Sequence, residues 1–490
     1  MKNKDSFFSF RNRGQIFWYN LANVFSYLLI LFSIVFVFPI DIQFFGEIRY
    51  IESIGHFLFP ILSFGLAQAF VNFTPLLESY HIKTFFGNSI IMVMLTGLFS
   101  FLVLVAINYE FPLPDFFLLC MGILIGIGLA YIEIFKSKAL FLKKVTLPVY
   151  LEKLVPKLVL IILFYILFSS KVDNYFYLLL SYAFVFIVIS VVMLLYILKF
   201  TRPRFSVSEL YFFENFSKSQ LIKYSSYSLV ASIGSYLAFR IDGFLIPQFL
   251  TMQHNGVFSM AALLASAVAI PSTGITALNL NSISALIYHS DTAKLGDLYI
   301  KSAKDAFFYC SFVFILVWIS LPLVTSFHSV LYSQMEQFET IVAILGIGIL
   351  VNISTGFNTE IITYSKYIRY NIFFILLLSA VNIAATIWFL KFTQWALIGV
   401  AISMSLSLIL YNLSKLIFIK LKFNIWPFDM RYFIMILCFI CISTILFFIP
   451  YIYSNVFIFF IKLALALIFY YLIKLYLIDG RKVRKEIEYY

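Results

Sequence analysis

Charge is what this chain has least of. Only 12% of its 490 residues are Asp, Glu, Lys or Arg, about half the share of a soluble domain. So few polar side chains cannot cover a water-soluble particle of this size, which excludes a soluble globular fold. Cysteine is scarce too: Cys120, Cys310, Cys438 and Cys441 all lie within apolar runs. The last two form a C-x-x-C, but Leu, Phe and Ile surround them, and a redox or metal site needs polar neighbours and access. They read as small buried apolar residues. The phosphate loop G-x-x-x-x-G-K-[ST] is missing, as are H-E-x-x-H and G-x-S-x-G. The chain therefore carries no nucleotide-hydrolysis or common hydrolase signature. Long polar connections are missing as well, and none between the apolar runs is long enough to hold a folded domain.

What is present is apolar sequence: 62% of the residues and a mean hydropathy of +0.98. A window of about 19 residues predicts spans at 16–38, 50–75, 88–108, 115–135, 147–169, 174–198, 221–249, 256–288, 304–326, 339–358, 370–390, 395–419, 431–450 and 454–477. This is the pattern of an all-α integral membrane protein of about fourteen transmembrane helices. The first run follows Lys2, Lys4, Arg11 and Arg13, as a signal peptide would. It is longer than the 7–15 residues of a signal core and lacks a small-x-small cleavage site. It reads as a permanent helix.

The basic residues set the orientation. The two tails and every second connection hold 28 Lys and Arg; the opposite connections hold Arg49, Lys171 and Lys391. Such asymmetry predicts that both termini and the basic loops are cytoplasmic. It also supports an even number of spans. The net charge of +12 follows from that rule and from attraction to anionic lipid. A nucleic-acid partner would need a basic soluble module, and there is none.

The chain reads as duplicated. After the first span an outside loop leads to Gly55 and GHFLFPILSFGLAQAFVNFTP (55–75). After the seventh, a similar loop leads to Gly256 and GVFSMAALLASAVAIPSTGITALN (256–279). Both segments begin at a glycine and carry a proline, Pro60 or Pro271. An offset of six spans gives two copies of one orientation, an arrangement transporters use with the substrate site at the repeat interface. The implied organisation is an N-terminal lobe at 1–214, a C-terminal lobe at 215–425, and a final helix pair with a basic tail at 426–490.

Ionisable and amide residues inside spans carry the functional signal, since a charge at bilayer depth costs roughly 2.5–3.5 kcal/mol and usually faces a partner or a wet cavity. The sharpest case is FRIDGFLIP (239–247). Arg240 and Asp242 are two apart, so on a regular helix they do not share a face. Gly243 and Pro247 are placed to break the helix there. Arg240 fits two readings: a cavity-facing cation for an anionic substrate, or an interfacial residue tied to neighbouring helices. Asp242 leans toward a structural or cation-coupling role. Glu52 and His56 are four apart at the start of the second span, and Gln68 and Asn72 four apart near its other end. His56, Pro60 and Gln68 fit a cavity-lining stripe, and interhelical hydrogen bonding explains the same residues. Asn279 and Asn281 follow Pro271, and Asn352 lies in the tenth span. Glu133 and Lys136 have ion-pair spacing, and Gly122 and Gly126 form a small-xxx-small pattern for close helix packing. Lys462 fits a snorkelling position.

FRIDGFLIP, followed by NGVFSMAALLASAVAIPSTGITALNLNSIS (255–284), is similar to the second-lobe entry of the polysaccharide flippases. These are the O-antigen and exopolysaccharide members of the multidrug, oligosaccharidyl-lipid and polysaccharide (MOP) exporter superfamily. The Gly55 segment is the first-lobe counterpart. The resemblance covers the whole chain in topology. It implies a MATE-like architecture of two parallel six-helix lobes with a C-terminal helix pair, in the bacterial inner membrane. It further implies movement of an undecaprenyl-pyrophosphate-linked oligosaccharide between leaflets by alternating access, with no catalytic residue. Arg240, Asp242, Glu52, His56, Gln68, Asn279, Asn281 and Asn352 are the cavity candidates. Partners would be the lipid-linked substrate, the bilayer and other polysaccharide assembly proteins. No cofactor is implied; drive would come from a sodium or proton gradient or from downstream consumption of the product. Flippases of peptidoglycan precursor often place Arg and Asp in the first span, where this chain has little charge; that favours an O-antigen, capsule or exopolysaccharide role. The competing readings are a drug or cation antiporter of the same superfamily, a lipid II flippase, and a membrane polymerase.

Overall fold

The computed structural model describes residues 25–74, 77, 79–142, 144, 146–170, 174–205, 218–326, 335–450 and 455–475. Both termini, whose cytoplasmic placement the charge pattern predicts, lie outside these residues. No strand occurs among the described residues. Helix α1 spans 25–36. It is followed by α2 (Ile42–Ser63), α3 (Leu66–Phe73), α4 (Ser79–Glu110), α5 (Phe116–Phe141), α6 (Thr146–Ser170) and α7 (Phe176–Leu198). Then come α8 (Lys218–Phe239), α9 (Asp242–Phe249), α10 (Met252–Ser266), α11 (Ile270–Tyr288) and α12 (Thr292–Ser326). The chain continues with α13 (Met335–Ser354), α14 (Asn358–Tyr364), α15 (Ile368–Phe392), α16 (Ala396–Phe423), α17 (Met430–Phe448) and α18 (Asn455–Ile473).

Ten spans are long and apolar enough to cross a bilayer, and two more are bent pairs, α2 with α3 and α8 with α9. That makes up to twelve spans among the described residues; the shorter apolar α1 and α6, which carries Glu152, Lys153 and Lys157, lie over the other two expected runs without meeting that measure. The chain is thus a multi-pass membrane protein. Its surface agrees: on α4, Leu98, Phe99 and Leu102 are 57%, 68% and 56% exposed, which hydrocarbon tolerates and water does not.

The breaks have local causes. Between α2 and α3 the axis turns by 49°, because Phe64 and Gly65 both take left-handed φ values, 48° and 65°. Pro60 lies within α2 and does not end it. The second proline, Pro271, opens α11 after a 3-10 turn at Ala267–Ala269.

The helices form two compact units, Met1–Ser259 and Met260–Tyr490. The internal repeat puts its boundary at 214/215, whereas the compact division falls later, so α8 and α9 belong with the first unit. In that unit α5 is the central post, flanked by α2 and α7. Glycines let the backbones approach: a Cβ on Gly122 would meet Ile54, one on Gly55 would meet Ile125, and one on Gly128 would meet Phe186. Gly122 and Gly126 therefore serve close packing. At the other end of α2, Gly46 lies on the Met252 carbonyl and Gly256 on the Ile42 carbonyl, while Asn255 Nδ2 donates to the Gly46 carbonyl at 2.8 Å.

The second unit builds its core on α12. Phe307, Phe308 and Phe314 pack with Tyr432 and Met435 of α17 and with Ala466 and Tyr470 of α18. The Tyr470 hydroxyl donates to Ser311 Oγ at 2.8 Å. Three lysines differ from their sequence reading. Lys138 and Lys415, counted among the loop cations, are buried inside α5 and α16, and Lys462 is buried instead of snorkelling. Each finds compensation: Lys138 among the rings of Phe70, Phe86 and Phe141, Lys415 on Thr359 Oγ1 at 2.7 Å, and Lys462 within electrostatic reach of Glu339.

Candidate functional site

Helix α9 lies directly on α2 because Gly243 has no side chain: a Cβ there would collide with Ser53 Oγ. Two further contacts fix the pair. The Tyr50 and Phe244 rings stack at 5.8 Å, and Gln248 Nε2 donates to the Tyr50 hydroxyl at 2.9 Å. Just before this contact α8 and α9 meet at 51°. Arg240 and Ile241 form the break itself.

At the bend Arg240 and Asp242 part company, as two positions about 200° apart around a helix must. Arg240 is exposed and Asp242 is buried at 3%. Arg49 and Glu52, one turn apart on α2, form an ion pair, and the buried Tyr182 hydroxyl of α7 donates to the same carboxylate. Arg240 lies within electrostatic reach of Arg49, Glu52 and Tyr236, and His56 within reach of Arg240 and Arg49. The Glu52 carboxylate is held by Arg49 and Tyr182, and a second carboxylate, Asp242, lies with Arg240 and Arg49 within electrostatic reach of Tyr236. Among the described residues the Arg240 guanidinium makes no hydrogen bond or ion pair. An exposed, unspent Arg fork within a span is an anion site in waiting: its planar donors match phosphate or carboxylate oxygens bidentately.

The other candidates lie elsewhere. Gln68 and Asn72 are exposed together on α3, beyond the 49° break. In the second unit, Asn279 is half-buried and its amide donates to the Ile275 carbonyl at 2.9 Å. Asn281 is helical, and its side chain lies outside the described residues. Asn352 Oδ1 accepts from Asn412 Nδ2 at 2.8 Å, and Asn412 Oδ1 accepts in turn from Asn358 Nδ2 at 2.9 Å and Thr355 Oγ1 at 3.1 Å. This amide network joins α13, α14 and α16 where Gly356, at φ 70°, separates the first two. Asn352 is thus engaged in tying helices together.

No family model matches the chain, and no curated protein sequence is similar to it. Solved structures are. A lipid II flippase, MurJ, in an inward closed conformation superposes over 95% of this chain and 99% of its own, with a TM-score of 0.67 at 17% identity. A multidrug resistance MATE family transporter of the MOP superfamily, inward-facing, covers 82% of this chain and 98% of its own, with a TM-score of 0.55 at 12% identity. A MOP superfamily transporter from Pyrococcus furiosus covers 84% and 93%, with a TM-score of 0.52 at 12% identity. The fold is that of MurJ and the MATE transporters. At these identities the likeness is one of fold, and the charged group around Arg240 is this chain's own evidence about chemistry.

Two members of that group escape sequence reasoning. Arg49 falls one residue outside the predicted second span and reads as a loop cation, although it sits on α2 three residues before Glu52. Tyr182 is one of 32 tyrosines, and nothing in its neighbourhood marks it. Arg49 could have been found from its i,i+3 spacing to Glu52; Tyr182 could not.

Proposed function

We propose that this chain is a MOP-type flippase that carries an undecaprenyl-pyrophosphate-linked oligosaccharide across the bacterial inner membrane, with its basic loops on the cytoplasmic side. The observation that carries the reading is Arg240: a guanidinium inside a span, exposed, at a helix break, and unpaired among the described residues. Such a residue costs free energy unless something anionic compensates it. A pyrophosphate passing along α8 and α9 supplies that compensation. Arg49, paired with Glu52, stands within electrostatic reach of Arg240. The remaining parts of the substrate fit the same account, since the glycan and the pyrophosphate need a wet path while the polyprenyl chain stays in hydrocarbon. With no phosphate loop, an ion gradient or consumption of the product downstream drives the cycle.

A lipid II flippase is the second reading. The MurJ fold and high coverage favour it, and the scarcity of charge in the first span speaks against it. Deleting the gene separates the two. The first reading expects loss of surface polysaccharide with accumulation of its lipid-linked repeat unit, and intact cell-wall synthesis. Lysis on deletion, or rescue by this chain of cells depleted of their lipid II flippase, would favour the second.

A further inference from the structure

We propose that the first unit holds a second binding site, for the hydroxyl-rich or amino-substituted saccharide portion of the substrate, in a cavity separate from Arg240 whose wall mixes charged and amide groups with apolar side chains. The inference rests on the reading of the chain as a carrier of a glycan-bearing lipid. The cavity has a volume of about 740 Å³, within the ~300–1,000 Å³ of small-molecule sites. Four helices build it: α3 gives Gln68 and Asn72, α5 gives Glu133 and Lys136, α6 gives Glu152 and Lys153, and α8 gives Tyr224. The Phe64–Gly65 break aims α3 here. Gln68 lies sixteen positions beyond Glu52, so roughly 20 Å of helix separates the cavity from the Arg49–Glu52 pair.

Hydrogen-bond accounting identifies the ligand class. Lys136 Nζ donates to Glu133 Oε1 at 2.6 Å and to Glu152 Oε1 and Oε2, both at 3.1 Å. All three of its protons are engaged, so this lysine has nothing left for an anion. It also fixes both carboxylates in place, with acceptor lone pairs to spare. The amides of Gln68 and Asn72, the Lys153 ammonium and the Tyr224 hydroxyl make no side-chain hydrogen bond among the described residues. The wall is therefore rich in preset acceptors, with mixed amide donors and one aromatic edge, and its two lysines balance its two glutamates. A pyrophosphate meets two fixed carboxylates here against one free ammonium, that of Lys153. Vicinal hydroxyls, which donate and accept alternately, and amino groups, which donate to carboxylates, fit all of it. A neutral wall also avoids competing with Arg240 for the anion, so the two ends of one substrate are read at two places.

The test uses the detergent-solubilised full chain and saturation-transfer NMR. The probes are three phosphate-free tetrasaccharides, one neutral, one carrying amino sugars and one carrying uronic acids, and a separate sugar-free probe, undecaprenyl pyrophosphate. The neutral and amino probes should bind and the uronic probe should bind less. Gln68→Ala with Asn72→Ala should weaken glycan binding about tenfold, as two lost hydrogen bonds would, and Glu152→Gln should weaken the amino probe most. Neither change should alter undecaprenyl pyrophosphate binding, which Arg240→Ala should abolish. The saccharide site is overturned if no tetrasaccharide binds, if the uronic probe binds best, or if binding survives Gln68→Ala with Asn72→Ala in protein of unchanged melting temperature. Undecaprenyl pyrophosphate binding that ignores Arg240→Ala would instead overturn the flippase reading and leave the glycan result standing by itself.

Discussion

Arg240 and Asp242 show what two positions of separation do at a helix break: one side chain is exposed, the other buried. If Arg240 serves a passing anion, Arg240→Ala should remove surface polysaccharide while the membrane level of the protein stays normal, and Arg240→Lys should retain part of it, because charge survives and the bidentate geometry does not. Immunoblotting beside glycan staining checks both; disappearance of the mutant protein would mark Arg240 as structural. Asp429 is a residue of the other kind, outside the spans and purely structural. It caps α17 by accepting from the Tyr432 N–H at 3.0 Å and pairs with Lys304 of α12 at 2.7 Å. Partial burial alone would raise its pKa, but the bonds from Lys304 and Tyr432 outweigh that and hold the carboxyl below its usual range. A depressed carboxyl stabilises the fold at neutral pH and loses that contribution as pH falls through its folded value. Melting temperature should therefore drop below about pH 4 in the parent protein and drop less steeply in Asp429→Asn, as a pH series of melting curves would report. The sequence exposes Arg240 because a charge in an apolar run is conspicuous. It hides Arg49 at a span edge, and it misreads Lys138, Lys415 and Lys462 because their partners (rings, a hydroxyl and the Glu339 carboxylate) come mostly from distant helices and leave little local mark.

Elements were the most legible level. All fourteen apolar runs became helices and up to twelve of them are long and apolar enough to span, since bilayer thickness fixes helix length and every backbone group must bond within its own segment. The bends were legible only to within a few residues. Gly243 and Pro247, expected to break the helix, lie inside α9, and the break falls before them at Arg240 and Ile241. The α2–α3 break falls four residues past Pro60, on a phenylalanine in the left-handed region, which no propensity would select. Packing between elements gives a contrast that can be measured. Gly46 lies against the Met252 carbonyl with no room for a Cβ, whereas Gly274 on α11 has open space around it. Gly46→Ala should destabilise the solubilised protein by ~1–3 kcal/mol, as overpacking against backbone does. Gly274→Ala should be neutral or slightly stabilising, since alanine favours helix over glycine. Melting temperatures of the two variants decide it; equal effects would mean that α10 does not seat its backbone on α2.

For the whole molecule, the fold is MurJ- and MATE-like, and its compact division after Ser259 differs from the repeat boundary read from the sequence at 214/215. The difference has a physical origin: glycines 243 and 256 bring α9 and the start of α10 onto α2, so the opening helices of the second repeat pack with the first unit. Contacts of that kind come from long-range glycine approaches, which a hydropathy window does not see. The substrate reading rests on charge: a guanidinium within a span, unpaired among the described residues, with a charge-balanced cavity elsewhere in the same unit. The measurement that tests this most directly is flipping in proteoliposomes. The purified chain is reconstituted with a fluorescent undecaprenyl-pyrophosphate oligosaccharide, and movement is read from access of a membrane-impermeant quencher. The account predicts leaflet exchange with the parent protein, partial exchange with Arg240→Lys, and none above protein-free vesicles with Arg240→Ala. Exchange by Arg240→Ala at the parent rate would contradict it.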